Sequence, residues 1–291
     1  MIRVLVTGAG GQVGAEVVRE LAGHAEVTAH ERATLDLARP DEILERIRGA
    51  RPEVIVNAAA YTAVDRAESE EAIAFAVNGV APGIIAEEAK RLGALLVHFS
   101  TDYVFDGSAT RPYVETDVVN PLGAYGRSKL AGERAVQASG CAHLTLRTSW
   151  VYGPRGKNFM LTMLRLAASH PELRVVNDQR GAPTSSTQLA RAVRAILARG
   201  DGARQASGLY HASAGGETTW FEFAREIFAL RARSDGAFVA PRVVPITTAE
   251  YPLPARRPAY SVLSNEKLGR ALGVRIPDWR EGLEEALSAL R

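Results

Sequence analysis

The pair best suited to chemistry in this chain is a tyrosine followed four residues later by a lysine, Tyr125 and Lys129. The sequence has 35 Lys and Arg residues, of which only four are Lys, so this spacing is uncommon on composition alone. Side chains four residues apart share one face of a helix. A neighbouring ammonium favours the phenolate and lowers the pKa of a phenol, which allows proton transfer near neutral pH. The same spacing also fits a surface contact without function.

A glycine-rich loop follows the first strand-like run of the chain and precedes a helical pattern, which is the context of a dinucleotide-binding turn. Gly8 permits a tight turn, Gly11 allows backbone to approach a pyrophosphate, and Gly14 allows the helix to pack closely on the strand. Gln12 and Val13 open the helix, whose free N–H groups attract phosphate. The spacing differs from G-x-G-x-x-G, so the prediction depends on this strand–loop–helix context.

Strand-like and helical segments alternate through the first half of the chain, which predicts an α/β protein with a Rossmann-like, doubly wound parallel sheet. The predicted strands are 1–7, 26–29, 54–57, 95–100 and 143–147. The predicted helices are 12–21, 41–48, 71–91, 125–139, 158–169, 187–199, 219–231 and 279–290. We assign residues 1–150 to a dinucleotide-binding domain. Residues 151–291 form mainly a smaller, C-terminal substrate-binding domain that returns one or two strands to the main sheet.

Ligands of such a sheet bind outside the carboxyl ends of its strands. The glycine loop, residues 57–61 with Ala58 and Ala59, and residues 100–105 all lie at such ends. Tyr125 begins the helix that follows the last of these segments. The sequence therefore predicts that the chemically interesting residues converge on one rim of the sheet.

The choice of cofactor depends on three residues that follow the second predicted strand. Glu31 is placed to bind the ribose 2′-hydroxyl of NAD(H), whereas Arg32 beside it suits the 2′-phosphate of NADP(H). Asp36 is placed to approach the adenine. We expect NADP(H), with NAD(H) as the alternative.

Composition is that of an ordinary globular protein, with 46% hydrophobic and 23% charged residues and a net charge of +2. Basic residues are scattered, so no nucleic-acid partner is expected. Cys141 is the only cysteine and fits a reducing compartment. We find no signal-peptide pattern and no apolar run near the roughly 18 residues that span a bilayer, and we predict a cytoplasmic protein without membrane contact. The six His show no metal-ligand spacing.

These residues together resemble the extended short-chain dehydrogenase/reductase family and, within it, the dTDP-4-dehydrorhamnose reductases. The glycine loop and Tyr-x-x-x-Lys mark only the superfamily. The more specific segments are Ser-Thr-Asp-Tyr-Val-Phe at 100–105, Arg-Thr-Ser-Trp-Val-Tyr at 147–152 and Asn-Asp-Gln-Arg-Gly-Ala-Pro-Thr at 177–184, with Arg257-Pro258 and residues 54–68 in support. The resemblance covers nearly the whole chain.

The resemblance implies a catalytic triad of Thr101, Tyr125 and Lys129, which reduces the C4 ketone of a dTDP-4-keto-6-deoxysugar with hydride from NADPH. Tyr125 would donate the proton, and Lys129 would lower the pKa of Tyr125 and hold the nicotinamide ribose. Thr101 would hydrogen-bond the ketone oxygen. Ser100 is the rival for this role, since neighbouring strand residues point to opposite faces.

The resemblance also implies the substrate-binding residues Val64, Tyr103, Trp150, Asn158 and Arg257. Trp150 would pack against the deoxysugar, and a guanidinium such as that of Arg257 suits a diphosphate.

Two further residues match family positions. Asn78 would either support Lys129 through a water molecule or bind backbone. Some relatives are associated with Mg²⁺ at a dimer contact. Glu16 matches one expected ligand, but residues 182–189 contain no carboxylate, so we assign no metal site. The assembly considered is a homodimer.

Two alternatives to the rhamnose-pathway reductase stay open. One is a reductase, epimerase or dehydratase acting on another nucleotide deoxysugar. A dehydratase is disfavoured because the Glu of a Thr-Asp-Glu run is absent here. The other is a non-catalytic, NADP-binding regulatory subunit of the kind that accompanies methionine adenosyltransferase, against which the intact Tyr125 and Lys129 argue.

Overall fold

The computed structural model describes residues 1–290, in which a six-stranded, fully parallel sheet forms the centre of the molecule. Its strands, in spatial order, are β10 (Gly208–His211), β5 (His143–Thr148), β4 (Leu95–Thr101), β3 (Val54–Asn57), β1 (Ile2–Thr7) and β2 (Ala25–His30). The chain order reverses on either side of β1, as in a doubly wound fold. The predicted fold class is confirmed.

Helices cover both faces of this sheet. Those that flank it are α1 (Gln12–Leu21), α2 (Pro40–Ala50), α5 (Ala81–Leu92), α6 (Ala124–Ser139) and α8 (Ser186–Leu197). Alternate residues of each strand face opposite layers. Val4 and Val6 of β1 share one apolar cluster with α1 and α8, whereas Leu5 shares the other with α2, α5 and α6. Because the middle strands are buried on both faces, they read in the sequence as continuous apolar runs.

The helix predicted at 71–91 is continuous, but it is built in three parts. These are α4 (Glu71–Phe75), a π-helical segment (Ala76–Val80) and α5, which is capped at its C-terminus by Gly93 with φ +66°. By length and composition this 22-residue helix could span a bilayer, so the expectation that no such apolar stretch exists is wrong. Half of it is buried in the protein, where α5 packs against α2 and α6. That burial is typical of a core helix.

The second half of the chain adds short paired strands and the remaining helices. The strand pairs are β6 (Val151–Tyr152) with β9 (Thr184–Ser185), β8 (Arg180–Gly181) with β11 (Thr218–Thr219), and β7 (Glu172–Val176) with β12 (Arg242–Ile246). The helices are α7 (Phe159–Ala167), α9 (Asp201–Gln205), α10 (Trp220–Ser234), α11 (Glu266–Leu272) and α12 (Trp279–Ser288), while the short α3 (Val64–Ala67) belongs to the first half. β10 returns to the main sheet beside β5, in line with the predicted return of one or two strands. The division at residue 150 stays a prediction.

Candidate active site

The glycine loop is closely packed at both of its ends. Gly8 has φ +70°, and a Cβ there would lie 2.7 Å from the Ala59 backbone. A Cβ at Gly14 would lie 2.2 Å from the Gly8 carbonyl oxygen. The turn is closed by the Gly11 N–H, which donates to the same oxygen at 2.8 Å. The reasons predicted for Gly8 and Gly14, a tight turn and close helix packing, are confirmed.

A cavity of about 660 Å³ opens above this loop at the carboxyl ends of the strands. Of the residues predicted to bind the cofactor, those that line the cavity are Gly8, Gly11, Gln12, Val13, Glu31, Arg32, Asp36, Ala58, Ala59, Tyr125 and Lys129. Gly14 lies behind Gly8 and supports the loop. The cavity combines a glycine cradle, the start of α1 and a buried lysine, and these features fit a dinucleotide.

Several residues that line the same cavity were not among those predicted to bind the cofactor, and Thr148 and Lys157 are two polar examples. Thr148 ends β5, and its hydroxyl is buried without a hydrogen-bond partner in residues 1–290. The rule that selected the other strand ends would have found it. Lys157 lies in the loop before α7, and its backbone carbonyl receives the Gln12 amide at 3.5 Å. The only signal for Lys157 in the sequence was the scarcity of lysine in the chain.

Tyr125 and Lys129 lie at the start of α6, but the ammonium does not act on the phenol as predicted. The Lys129 Nζ donates to the Phe99 carbonyl oxygen at 2.6 Å, and burial lowers the pKa of Lys129 to about 8. Burial raises the pKa of Tyr125 to about 12, and the Thr101 hydroxyl only partly opposes this rise. The expected lowering of the Tyr125 pKa is therefore wrong for the protein without ligands. Desolvation outweighs the charge because Lys129 is turned toward the strand backbone.

The two hydroxyls at the end of β4 face different neighbours. The Ser100 hydroxyl donates to Glu133 Oε1 at 2.5 Å, inside the buried ion pair of Glu133 with Arg147. The Thr101 hydroxyl lies near the Tyr125 phenol, whose pKa it affects. Ser100 lines the cavity, but its hydroxyl proton is directed to Glu133, and Thr101 has the hydroxyl that lies beside the Tyr125 phenol.

Asn78 lies in the π-helical segment and is fully engaged with protein. Its side chain accepts from the Tyr61 N–H at 2.8 Å and donates to the Tyr61 carbonyl and the Ser128 hydroxyl, each at 3.0 Å. These contacts fit the second alternative, in which Asn78 binds backbone. They join the cavity wall at Tyr61 to the helix that carries Tyr125.

Trp150 follows β5 in a strained conformation, with φ +47°. Its indole stacks on Trp220 with ring centroids 3.5 Å apart and an interplanar angle of 6°. Gly181 lies against the same indole, since a Cβ there would be 2.4 Å from Trp150 Cε2. The sequence reasoning missed Trp220, for which the only signal was a tryptophan at the start of a predicted helix. The two neighbours fix the position of Trp150.

Three other residues that were predicted to bind the substrate are Tyr103, Arg257 and Val64. The Tyr103 ring meets the Tyr125 ring edge to face at 5.6 Å, and burial raises the pKa of Tyr103. Arg257 forms a two-pronged ion pair with Asp65, with distances of 2.8 and 3.1 Å, and this pairing lowers the pKa of Asp65. Val64 is half-buried at the start of α3, next to Asp65.

Asn158 lies at the start of α7 and contacts both this helix and α1. Its carbonyl oxygen caps α7 by accepting from Leu161 N–H at 3.0 Å. Its amide donates to Gln12 Oε1 and to the Gly153 carbonyl, each at 2.9 Å. The side chain therefore holds the loop before α7 against α1, and the expectation that Asn158 binds the substrate stays a prediction. Asn is one of the residues preferred at the N-cap of a helix.

Glu16, the residue that matched a Mg²⁺ ligand, is almost fully buried and pairs with Arg19 at 3.0 Å. Within residues 1–290 no group of three or more His, Cys, Asp or Glu side chains is arranged to hold a metal ion.

The sequence matches a known family over nearly its full length. The family model described as RmlD substrate binding domain matches residues 2–291. The chain belongs to this family. A dTDP-4-dehydrorhamnose reductase of Burkholderia thailandensis is 50% identical over 285 residues, which cover 96% of each chain.

Solved structures of family members superimpose closely on this chain. A dTDP-4-dehydrorhamnose reductase of Clostridium acetobutylicum gives a TM-score of 0.92 with 39% identity, and the match covers 99% of each chain. A dTDP-4-dehydrorhamnose reductase of Bacillus anthracis in complex with NADP gives 0.91 with 35% identity, again over 99% of each chain.

Proposed function

We propose that the protein reduces the C4 ketone of dTDP-4-dehydro-β-L-rhamnose to dTDP-L-rhamnose with NADPH. The observation that carries the proposal is that Tyr125 and Lys129 line the cavity above the glycine loop, with the Thr101 hydroxyl beside the Tyr125 phenol. The name of the Burkholderia thailandensis relative and the NADP bound to the Bacillus anthracis structure support the same reaction. A cytoplasmic location and a homodimer remain predictions.

The protonation state of Tyr125 suits a reduction. Because the pKa of Tyr125 is about 12, the phenol carries its proton at neutral pH and can give it to the alkoxide that forms at C4. NADPH, when bound, supplies the hydride. Thr101, beside the phenol, stabilises the developing negative charge on the same oxygen. The high pKa that contradicts the sequence expectation thus favours the donor form of the tyrosine.

Lys129 contributes a positive charge at the floor of the cavity. With a pKa of about 8 it is mostly protonated at neutral pH. Its ammonium has three donors, of which the Phe99 carbonyl takes one. The other donors are available for the ribose hydroxyls of the nicotinamide nucleotide. A bound ribose and a developing phenolate would both favour the charged form.

The adenosine end of the cavity has groups for either cofactor. Arg32 is exposed there and suits a 2′-phosphate, which supports NADPH. The Glu31 carboxyl group lies beside Gly10 and suits a 2′-hydroxyl, so NADH is the second cofactor that we propose.

The test is steady-state oxidation of NADPH with purified protein and a panel of dTDP-, UDP- and GDP-linked 4-keto-6-deoxysugars. We expect turnover with dTDP-4-dehydrorhamnose and little with the free sugar, because binding energy of the nucleotide orients the ketone. A clear preference for a UDP or GDP sugar would replace the substrate. Absence of turnover with every sugar, while NADPH still binds, would support the regulatory-subunit alternative.

A further inference from the structure

Asp102 is a buried carboxyl group beside the reacting residues that the proposed reaction does not use. It follows Thr101 and begins a short 3₁₀ turn, Asp102–Val104, with only 1% of its surface exposed. Its Oδ1 accepts a hydrogen bond from the Thr101 hydroxyl at 3.0 Å. Its Oδ2 has no well-formed hydrogen bond with any group in residues 1–290. A buried carboxylate without an ion pair is costly, which favours the neutral acid.

The hydrogen bonds of Thr101 show why the charge of Asp102 matters. A hydroxyl has one proton to donate and two lone pairs that accept. The Thr101 oxygen already accepts from the Tyr103 N–H at 3.2 Å, and its proton is directed to Asp102. While Asp102 is ionised, Thr101 therefore has no proton left for a ketone oxygen beside Tyr125. The reaction that we propose requires that proton.

We propose that Asp102 is a positioning residue that acts as a neutral carboxylic acid, donating to the Thr101 hydroxyl and so directing the Thr101 proton toward the substrate carbonyl. In this arrangement the two lone pairs of Thr101 are taken by Tyr103 N–H and by the acid. The only free position is the proton, which faces the Tyr125 side. Asp102 itself neither gains nor loses a proton during turnover. The inference rests on the proposed function, since it concerns how Thr101 meets the ketone.

The surroundings of Asp102 agree with a neutral acid. Burial raises the pKa of Asp102 to about 7 and outweighs the opposing hydroxyls of Ser261 and Thr101 and the opposing backbone N–H groups of Asp102 and Tyr103. The ionisable groups that face it are the phenols of Tyr103 and Tyr125, both with raised pKa values and therefore neutral. The guanidinium of Arg257 is near Tyr103 but is neutralised by its ion pair with Asp65. The Lys129 ammonium is held by the Phe99 carbonyl.

The experiment measures kcat/KM for the dTDP-4-keto sugar from pH 6 to 8 in the natural protein and in Asp102→Asn and Asp102→Leu. The natural protein should lose activity above about pH 7, as Asp102 ionises, before the separate loss near pH 8 from Lys129. Asp102→Asn keeps a donor at all pH values, so its activity relative to the natural protein should rise about tenfold from pH 6 to 8. Asp102→Leu should be at least about tenfold less active than Asp102→Asn at pH 6, because it has no donor.

Several outcomes would overturn the inference. A constant activity ratio of Asp102→Asn to the natural protein across this range would mean that the Asp102 proton does not matter. Inactivity of a folded, NADPH-binding Asp102→Asn would mean that the carboxylate is required, and equal activity of the Leu and Asn variants would assign Asp102 to structure alone.

Two further measurements do not depend on the folding of the Asp102 variants. In Thr101→Val the residual activity should no longer fall as the pH rises through about 7, because ionisation of Asp102 affects the substrate only through the Thr101 hydroxyl. Persistence of this pH dependence in Thr101→Val would refute the inference. Infrared spectroscopy of the natural protein without substrate should show a buried carboxylic acid band that disappears on titration through about pH 7. Absence of that band at pH 6 would also refute it. This measurement separates failure of the inference from failure of the proposed substrate, since it needs no turnover.

Discussion

Gly181→Ala should displace Trp150, which we predict to pack against the sugar, without changing the cofactor cavity. A Cβ at Gly181 would lie 2.4 Å from Trp150 Cε2 and 2.7 Å from Trp150 Nε1. Because Trp150 is stacked on Trp220 at 3.5 Å, the indole cannot move freely to relieve this contact. The substitution therefore forces a shift of Trp150, of the β8 backbone, or of both.

The size of the effect follows from these distances. Ordinary van der Waals contact begins at 3.4 Å, so the atoms must separate by about 1 Å. A misplacement of about 1 Å in a group that orients the substrate can lower the rate on the order of 100-fold. Loss of the indole stack would add roughly 0.5–1.5 kcal/mol of destabilisation. We expect kcat/KM for the dTDP-4-keto sugar to fall about 100-fold.

The assay is steady-state NADPH oxidation together with a separate measurement of NADPH affinity. NADPH affinity should stay within about twofold, because Trp150 is not among the residues lining the cofactor cavity. Gly49→Ala is the matched control, since Gly49 lies in α2 and a Cβ there meets no atom within 4 Å. The control should keep full activity and gain slight stability. Normal kcat/KM in Gly181→Ala, or a parallel loss of NADPH affinity, would refute the role given to Trp150.

Three other substitutions test the rest of the site. Tyr125→Phe should fold and bind NADPH but lose 10²–10⁴-fold in kcat, and near-normal kcat would remove Tyr125 from the mechanism. Lys129→Arg should lower both kcat/KM and NADPH affinity by at least about tenfold, because a planar guanidinium cannot replace a buried ammonium bound to the Phe99 carbonyl; full activity would show that charge alone suffices. Glu133→Leu should lower the free energy of unfolding by about 3–5 kcal/mol in denaturant titration, because it leaves Arg147 buried without its partner. The double substitution Glu133→Leu with Arg147→Met should recover much of that loss, and equal stability of the single and double variants would contradict this reasoning.

Local patterns in the sequence were sufficient for the order of elements and for the rim at which the site forms. The strand–loop–helix context of Gly8 to Gly14 predicted both the tight turn at Gly8 and the close packing at Gly14. The α6 pattern ended at Gly140, which has φ +69°. These features depend on backbone geometry and on the spacing of apolar residues, which neighbouring residues in the chain largely decide.

The tertiary structure decided what each polar side chain does. Asn158 caps α7 and contacts Gln12, which is 146 residues away in the chain. Trp150 acquires Trp220 as its stacking partner, and both come from segments whose relative placement no local pattern records. The sequence therefore predicted the helices and strands more completely than the contacts of the side chains expected to bind ligands.

The spacing of Tyr125 and Lys129 placed them on one face of a helix, and that much was determined by the 3.6-residue period alone. Their pKa values were not, because the direction of a shift depends on what surrounds the group. Burial raises the pKa of Tyr125 and lowers that of Lys129. The Lys129 ammonium donates to the Phe99 carbonyl oxygen and not to the phenol. Desolvation and long-range hydrogen bonds exist only once the sheet and helices have packed together, so the sequence names the reacting groups while the fold sets their charge.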